Sequence, residues 1–269
     1  MKLLVRTAPA SLAPFVRTVI WYCGYSGSNP YELLMPDGTA QLIVPLEGPS
    51  RQVIAPFGRA QHHAVAYFTG LRSQPILYRS EQQASTLCIQ FTPLGFRHFV
   101  GPGAATLVNQ TEEVSSVSKA MASKINELAQ HNSGEELMQI TIAWLGQFFE
   151  QQAMDHAVAW ACRLLENSSL SIADVVKQTG YSHRYFVQRF QNQIGFTPKK
   201  FQRLQRFNQA LLSLRQAPKD PFDTIFRLGY FDQAHFSREF KSFSGVSPGK
   251  YIAHRPQYAH VLSLKSPLL

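Results

Sequence analysis

The stretch Gly180-Tyr181-Ser182-His183-Arg184-Tyr185-Phe186-Val187-Gln188-Arg189-Phe190, closed by Gly195-Phe196-Thr197-Pro198-Lys199-Lys200-Phe201, decides the reading because it occurs twice. The second copy runs Gly229-Tyr230-Phe231-Asp232-Gln233-Ala234-His235-Phe236-Ser237-Arg238-Glu239-Phe240 and closes with Gly245-Val246-Ser247-Pro248-Gly249-Lys250-Tyr251. One extra residue after Tyr230 sets Phe236 opposite Phe186. From there Phe240 matches Phe190, Gly245 matches Gly195, Pro248 matches Pro198 and Lys250 matches Lys200. Self-similarity at a period of roughly fifty residues signals two copies of one supersecondary unit.

Each copy has a helix start in front of it. Ser171 N-caps a predicted helix over Ile172 to Thr179, with Asp174 near its positive end. In the second copy Asp220 caps and Pro221 fits the first helical position. Gly180 and Gly229 end these helices in a tight turn, and second helices begin at once from Ser182 and from Asp232. Helix, glycine turn, helix is the sequence form of a helix-turn-helix.

In the second helices Phe186 and Phe190, and Phe236 and Phe240, lie four apart and face the core. The opposite face shows Ser182, His183, Arg184, Val187, Gln188 and Gln191 in the first unit, and Gln233, Ala234, Ser237, Arg238 and Lys241 in the second. Arg and Gln pair with guanine and adenine edges, and Val187 and Ala234 suit a thymine methyl. On one helix such a face is explained equally well by solvation; two in matching frames favour nucleic acid. A longer helix from about Pro198 to Gln216, apolar at Phe201, Leu204, Phe207, Leu211, Leu212 and Leu214, is the spacer between them. Holding the units about 34 Å apart, it would bring both to successive major-groove segments. Asp155 to Asn167 supplies a further helix, packing Val158, Ala161, Leu164 and Leu165 on the first unit.

The charge agrees. Of 26 Lys and Arg and 17 Asp and Glu, residues 1–154 hold ten of each, so the whole net charge of +9 lies in residues 155–269. A basic domain joined to a neutral one suits a polyanion partner, although such charge also serves solubility alone. Cys23, Cys88 and Cys162 are too few and too far apart for a disulfide framework or a zinc site. No apolar stretch approaches the roughly 20 residues of a membrane helix, and the start of the chain lacks a signal peptide's apolar region. A cytoplasmic, nucleoid-associated protein with no membrane partner is expected.

The first hundred residues read as short strands, among them Gln41–Val44, Ala64–Phe68 and Thr86–Phe91, bounded by turns such as Pro36-Asp37-Gly38. An antiparallel barrel or sandwich is predicted. Helical periodicity follows, with Val114, Val117, Met121, Ile125 and Leu128, then Glu135 to Gln151 with Leu137, Ile140, Trp144, Leu145, Phe148 and Phe149 on one stripe. That stripe either covers the strands or makes a homodimer. The domains expected are 1–152, 153–256 and a tail, 257–269, with a short linker that keeps the first two close together.

Across residues 155–256 the sequence resembles the AraC/XylS family of bacterial transcription regulators, through the Gly-Tyr…Phe-x-x-x-Phe…Gly-x-Thr-Pro run of the first unit and the Gly229 to Lys241 run with Gly245-Val-Ser-Pro in the second. The resemblance implies promoter DNA as partner, with Arg184, Val187 and Gln188, then Gln233, Ala234, Ser237 and Arg238, as base readers. It also implies RNA polymerase as the partner of an activator. The chain departs from the family at Val176 and Ile225, where a small residue is usual, and at Pro221, Phe222 and Thr224. Met35-Pro-Asp-Gly38, Gly70-Leu-Arg72 and Ile89-Gln-Phe-Thr-Pro-Leu-Gly-Phe96 are similar to a sensor domain of one branch of these regulators. This implies an α+β chain: a cupin-like antiparallel β-barrel with following helices, then an all-α domain. A small-molecule effector is implied but not named.

Other chemistry is thin. His62-His63 lacks the nearby carboxylate and the spacing of a cupin metal site, so no metal and no cofactor is expected. Asp37 reads as a turn residue. Without a nucleophile or phosphate-loop motif, an enzyme is not expected. Tyr67, Phe68 and Phe91 read either as the lining of a ligand cavity or as ordinary core. The competing functions are a cupin-like enzyme with a basic accessory domain and a non-specific nucleoid protein, which would bind DNA with a steep salt dependence and little sequence preference.

Overall fold

The computed structural model describes residues 1–47, 51–54, 61–63, 65–79, 83–131, 134–167, 170–216, 228–254 and 258–267. The N-terminal half contains β1 (Lys2–Thr7), β2 (Val16–Tyr25), β3 (Tyr31–Leu34), β4 (Ala40–Glu47), β5 (Arg51–Ile54), β6 (Gln61–His63), β7 (Tyr67–Thr69), β8 (Ile76–Arg79) and β9 (Ala84–Phe91). Then come α1 (Pro93–Val100), a 3-10 turn (Pro102–Leu107), β10 (Thr111–Glu113), α2 (Val114–Val117), α3 (Lys119–Leu128) and α4 (Gly134–Phe149). The rest holds α5 (His156–Asn167), α6 (Ile172–Thr179), α7 (His183–Ile194), α8 (Pro198–Arg215), α9 (Gln233–Ser244), α10 (Pro248–His254) and β11 (Val261–Leu264).

The strands form two antiparallel sheets, ordered β1-β2-β9-β4-β7-β10 and β11-β3-β8-β5-β6. No described pair joins one sheet to the other, so the expected barrel is an open, cupin-like pair of sheets. Side chains alternate between the faces of a strand, and here the alternation divides three environments. Leu87, Ile89 and Phe91 of β9, with Leu42 and Val44 of β4, pack beneath Phe96, Phe99, Leu137, Leu145 and Phe149 of α1 and α4. The intervening Thr86, Cys88 and Gln90, with Gln41 and Ile43, face a cavity instead. In the second sheet Leu34, Ile76, Tyr78 and Val261 face that cavity. Leu33, Leu77, Leu262 and Leu264 join Phe186, Phe190, Phe201, Phe207, Phe236 and Phe240 in one cluster with the C-terminal helices. A continuous apolar core therefore crosses the expected domain boundary.

Several expectations change. Residues set aside as a tail contain β11, which pairs Val261 with Leu34 through Leu264 with Tyr31 on β3. Its cause is period-two patterning, since Leu262 and Leu264 are buried. The helix expected from the Val114 to Leu128 periodicity starts after β10 and divides at Ser118, whose Oγ accepts the Met121 N–H at 3.2 Å and caps α3. Trp144 and Phe148 lie against Phe99, with centroids 5.6 and 4.9 Å away, so the stripe is engaged within the chain. Asp220, Pro221, Phe222, Thr224 and Ile225 lie outside the described residues. Among described residues no helix is long and apolar enough to cross a membrane.

Candidate nucleic-acid interface

The first unit has the expected local chemistry. Ser171 Oγ accepts the Asp174 N–H at 3.2 Å and caps α6. Gly180 takes φ +73 in the turn, and Ser182 Oγ accepts the Tyr185 N–H at 3.4 Å to start α7. In the second unit Gly229 takes φ +79, and Asp232 Oδ1 accepts the His235 N–H at 2.6 Å to start α9. Both helices have twelve residues and end at a left-handed glycine, Gly195 or Gly245. Each thus presents its first turn in the same capped form.

Phe186, Phe190, Phe236 and Phe240 are buried against α8, leaving the opposite face outward. Ser182, His183, Arg184, Gln188 and Gln191 are exposed, as are Gln233, Ala234, Arg238 and Lys241. Ser237 is half-buried. So is Val187, which packs partly on the core and offers less surface than its sequence position suggests.

What fixes the two helices was not read from the sequence. Asp155, just before α5, receives Arg189 Nε at 2.5 Å and a hydrogen bond from Gln193, both on α7, and also caps Val158 N–H at 3.2 Å. Burial pushes the Asp155 carboxyl up, but the bonds from Val158, Gln193 and Arg189 outweigh it and hold the group below its ordinary value. On α9, Glu239 is 4% exposed and accepts Arg203 Nε at 2.6 Å and Arg206 Nη2 at 2.7 Å, both on α8. Arg206 also lies 4.3 Å from the Tyr230 ring centroid. A glutamate in a reading helix looks like a surface residue until its partners, more than thirty positions away, are seen.

The cavity between the sheets measures about 580 Å³. Phe68 and Phe91 do not line it, because both point into the core beneath α1 and α4. Tyr67 is fully buried and is not part of the wall either, although it clusters with Ile43 and Cys88, which are. The wall also includes Leu212 and Arg215 of α8 and residues 258–261 leading into β11. Where the sequence placed Leu212 in the spacer's apolar contacts, it stands half-exposed at this rim. Nearby, the Asp37 carboxylate accepts Thr39 N–H and Oγ1–H at 2.8 and 2.7 Å and Gln41 Nε2 at 3.1 Å. His260 Nε2 lies 3.2 Å from Asn208 Oδ1 of α8, and burial lowers its pKa against the pull of Asp37. Gly38, at φ +78, leaves room for Gln205 of α8, whose Nε2 would stand 2.9 Å from an added Cβ. The Pro-Asp-Gly turn is therefore a contact with the spacer helix as well as a turn.

Residues 176–254 match a helix-turn-helix domain family, and residues 6–113 match a domain of unknown function (DUF6597). The arabinose operon regulatory protein of Escherichia coli strain K12 is 33% identical over 105 residues, 37% of this chain and 36% of that protein. Its counterpart in Salmonella typhimurium is 30% identical over 135 residues, 48% and 47% of the two chains. These alignments span less than half of either relative. The crystal structure of apo ToxT from Vibrio cholerae superposes with a TM-score of 0.48 at 11% identity, covering 92% of this chain and 99% of that one.

Proposed function

From the premise that the C-terminal domain belongs to the AraC/XylS family, we propose that this chain is a sequence-specific DNA-binding transcription regulator controlled by a small molecule. One observation carries it: two helices of equal length, α7 and α9, each capped by a side chain that accepts the third helical N–H, turn exposed Arg and Gln side chains outward while their phenylalanines share one core around α8. Arg184, Gln188, Gln233 and Arg238 form direct contacts with base edges, and the basic scaffold holds phosphates on either side. RNA polymerase is the partner through which bound protein alters transcription.

The cavity is the effector site in this reading. Its volume falls within the range of small-molecule pockets, and its wall includes both α8 and the approach to β11. A ligand there touches the helix that spaces the two reading helices, which gives it a differential contact with alternative α8 positions, as ligand control requires.

Binding of wild type and Arg238→Ala to the site recovered by genome-wide capture of the DNA that the protein binds, and to single-base variants of that site, tests the reading. The substitution is expected to weaken binding to the site by about 1–3 kcal/mol and to relax preference at one position. Unchanged preference would contradict it. Loss shared equally by random duplex would favour a purely electrostatic, non-specific binder.

A further inference from the structure

We propose that Phe231 is a base-reading contact of the second unit, set against a thymine methyl at the end of the groove segment that α9 enters. The inference rests on the reading of the chain as a sequence-specific DNA binder. Phe231 is 86% exposed, more than any other exposed large hydrophobic side chain among the described residues. It immediately precedes the cap Asp232, a place from which an apolar residue ordinarily folds back onto the fourth helical residue. Here that residue is Phe236, which is 2% exposed and already has its ring against Tyr230 at 5.0 Å between centroids. Phe231 is left outside the core.

Its backbone is nevertheless held. The Phe231 N–H donates to His235 Nδ1 at 3.4 Å, the His235 N–H donates to the cap at 2.6 Å, and the His235 ring lies edge-on to Tyr230. The ring therefore projects from a fixed turn at the N-terminal end of α9. The first residues of a reading helix reach base edges, and Gln233 and Ala234, which follow the cap Asp232, are exposed. The first unit has no counterpart, because Ser182 follows Tyr181 directly; Phe231 belongs to the one-residue expansion of the second copy. Phe231 and Ala234 supply apolar surface alongside Gln233 and Arg238, which supply hydrogen bonds. Thymine is the base that displays a methyl group beside an acceptor in the major groove.

The test uses the full-length protein, its recovered site, the same site with single thymines replaced by deoxyuridine, and a random duplex. Wild type is expected to lose about four-fold in affinity when one particular methyl is removed. F231A is expected to bind the thymine site at least that much more weakly, to ignore the same replacement, and to match wild type on random duplex. Because the ring is outside the core, its melting temperature should equal that of wild type. F231A with wild-type affinity and an intact response to the methyl would overturn the proposal and point to a protein partner for the ring. A wild type that binds site and random duplex equally would remove the underlying reading, and the role of Phe231 with it.

Discussion

The two reading helices match in length, caps and phenylalanine spacing, yet they are held by different parts of the molecule. Helix α7 is tied by Arg189 and Gln193 to Asp155, and Gly195 at its end leaves room for Val108 of the N-terminal half. Helix α9 is tied through Glu239 to Arg203 and Arg206 of α8, and the helix after it, α10, reaches the segment leading into β11 through Tyr251 Oη, which donates to Ala259 O at 2.9 Å. Both heads abut the N-terminal half, the second where Gly245 meets Pro75, but the first is tied to Asp155 while the second follows the spacer helix and the returning strand. A repeat can preserve its local chemistry while its copies are anchored to different neighbours. A ligand touching α8 and residues 258–261 bears more directly on the second head.

Removing residues 258–269 should break this arrangement most severely. It takes two buried leucines, Leu262 and Leu264, out of the shared core, and their loss is expected to cost about 3–6 kcal/mol. Denaturant unfolding would measure it, and proteolysis should open the second unit before the first. Glu239→Ala should follow, at about 3 kcal/mol, because it leaves Arg206 facing a site built for a carboxylate. Thermal unfolding reads the loss, and contacts made by α9 on DNA should weaken while those of α7 persist.

Asp155→Asn sharpens the other side of the comparison with a smaller effect, about 1–3 kcal/mol from weakened charge-assisted bonds. Its pH dependence has a definite sign. The carboxyl is held below its ordinary value in the folded protein, so its contribution is present above the unfolded value of about 3.9 and fades as pH falls from there through the depressed folded value. Stability of Asp155→Asn against pH should lack that part of the acid slope; a slope identical to wild type would assign it to other groups.

The repeat was legible because caps, glycines and paired phenylalanines act within one or two turns of chain. Ser182, Asp232 and the four phenylalanines do locally what their spacing requires. The clamps were not legible: Asp155 and Glu239 meet partners 33 to 38 positions away, and nothing in their neighbourhood distinguishes them from surface carboxylates. The sheet was legible in part. Alternation in Thr86-Leu87-Cys88-Ile89-Gln90-Phe91 separates a polar face from an apolar one, but composition alone drew attention to Phe68 and Phe91, the wrong face for the cavity. Val261-Leu262-Ser263-Leu264 carries the same alternation, and its partner β3 lies more than two hundred residues earlier, beyond the reach of local pattern.

The most direct measurement is base-resolved chemical footprinting of wild type, Arg184→Ala and Arg238→Ala on the recovered site. Two contact segments about 34 Å apart on one face of the duplex are expected, with Arg184→Ala erasing contacts in one and Arg238→Ala in the other. A single segment, or two that both substitutions leave intact, would contradict the claim that α7 and α9 read DNA as a pair.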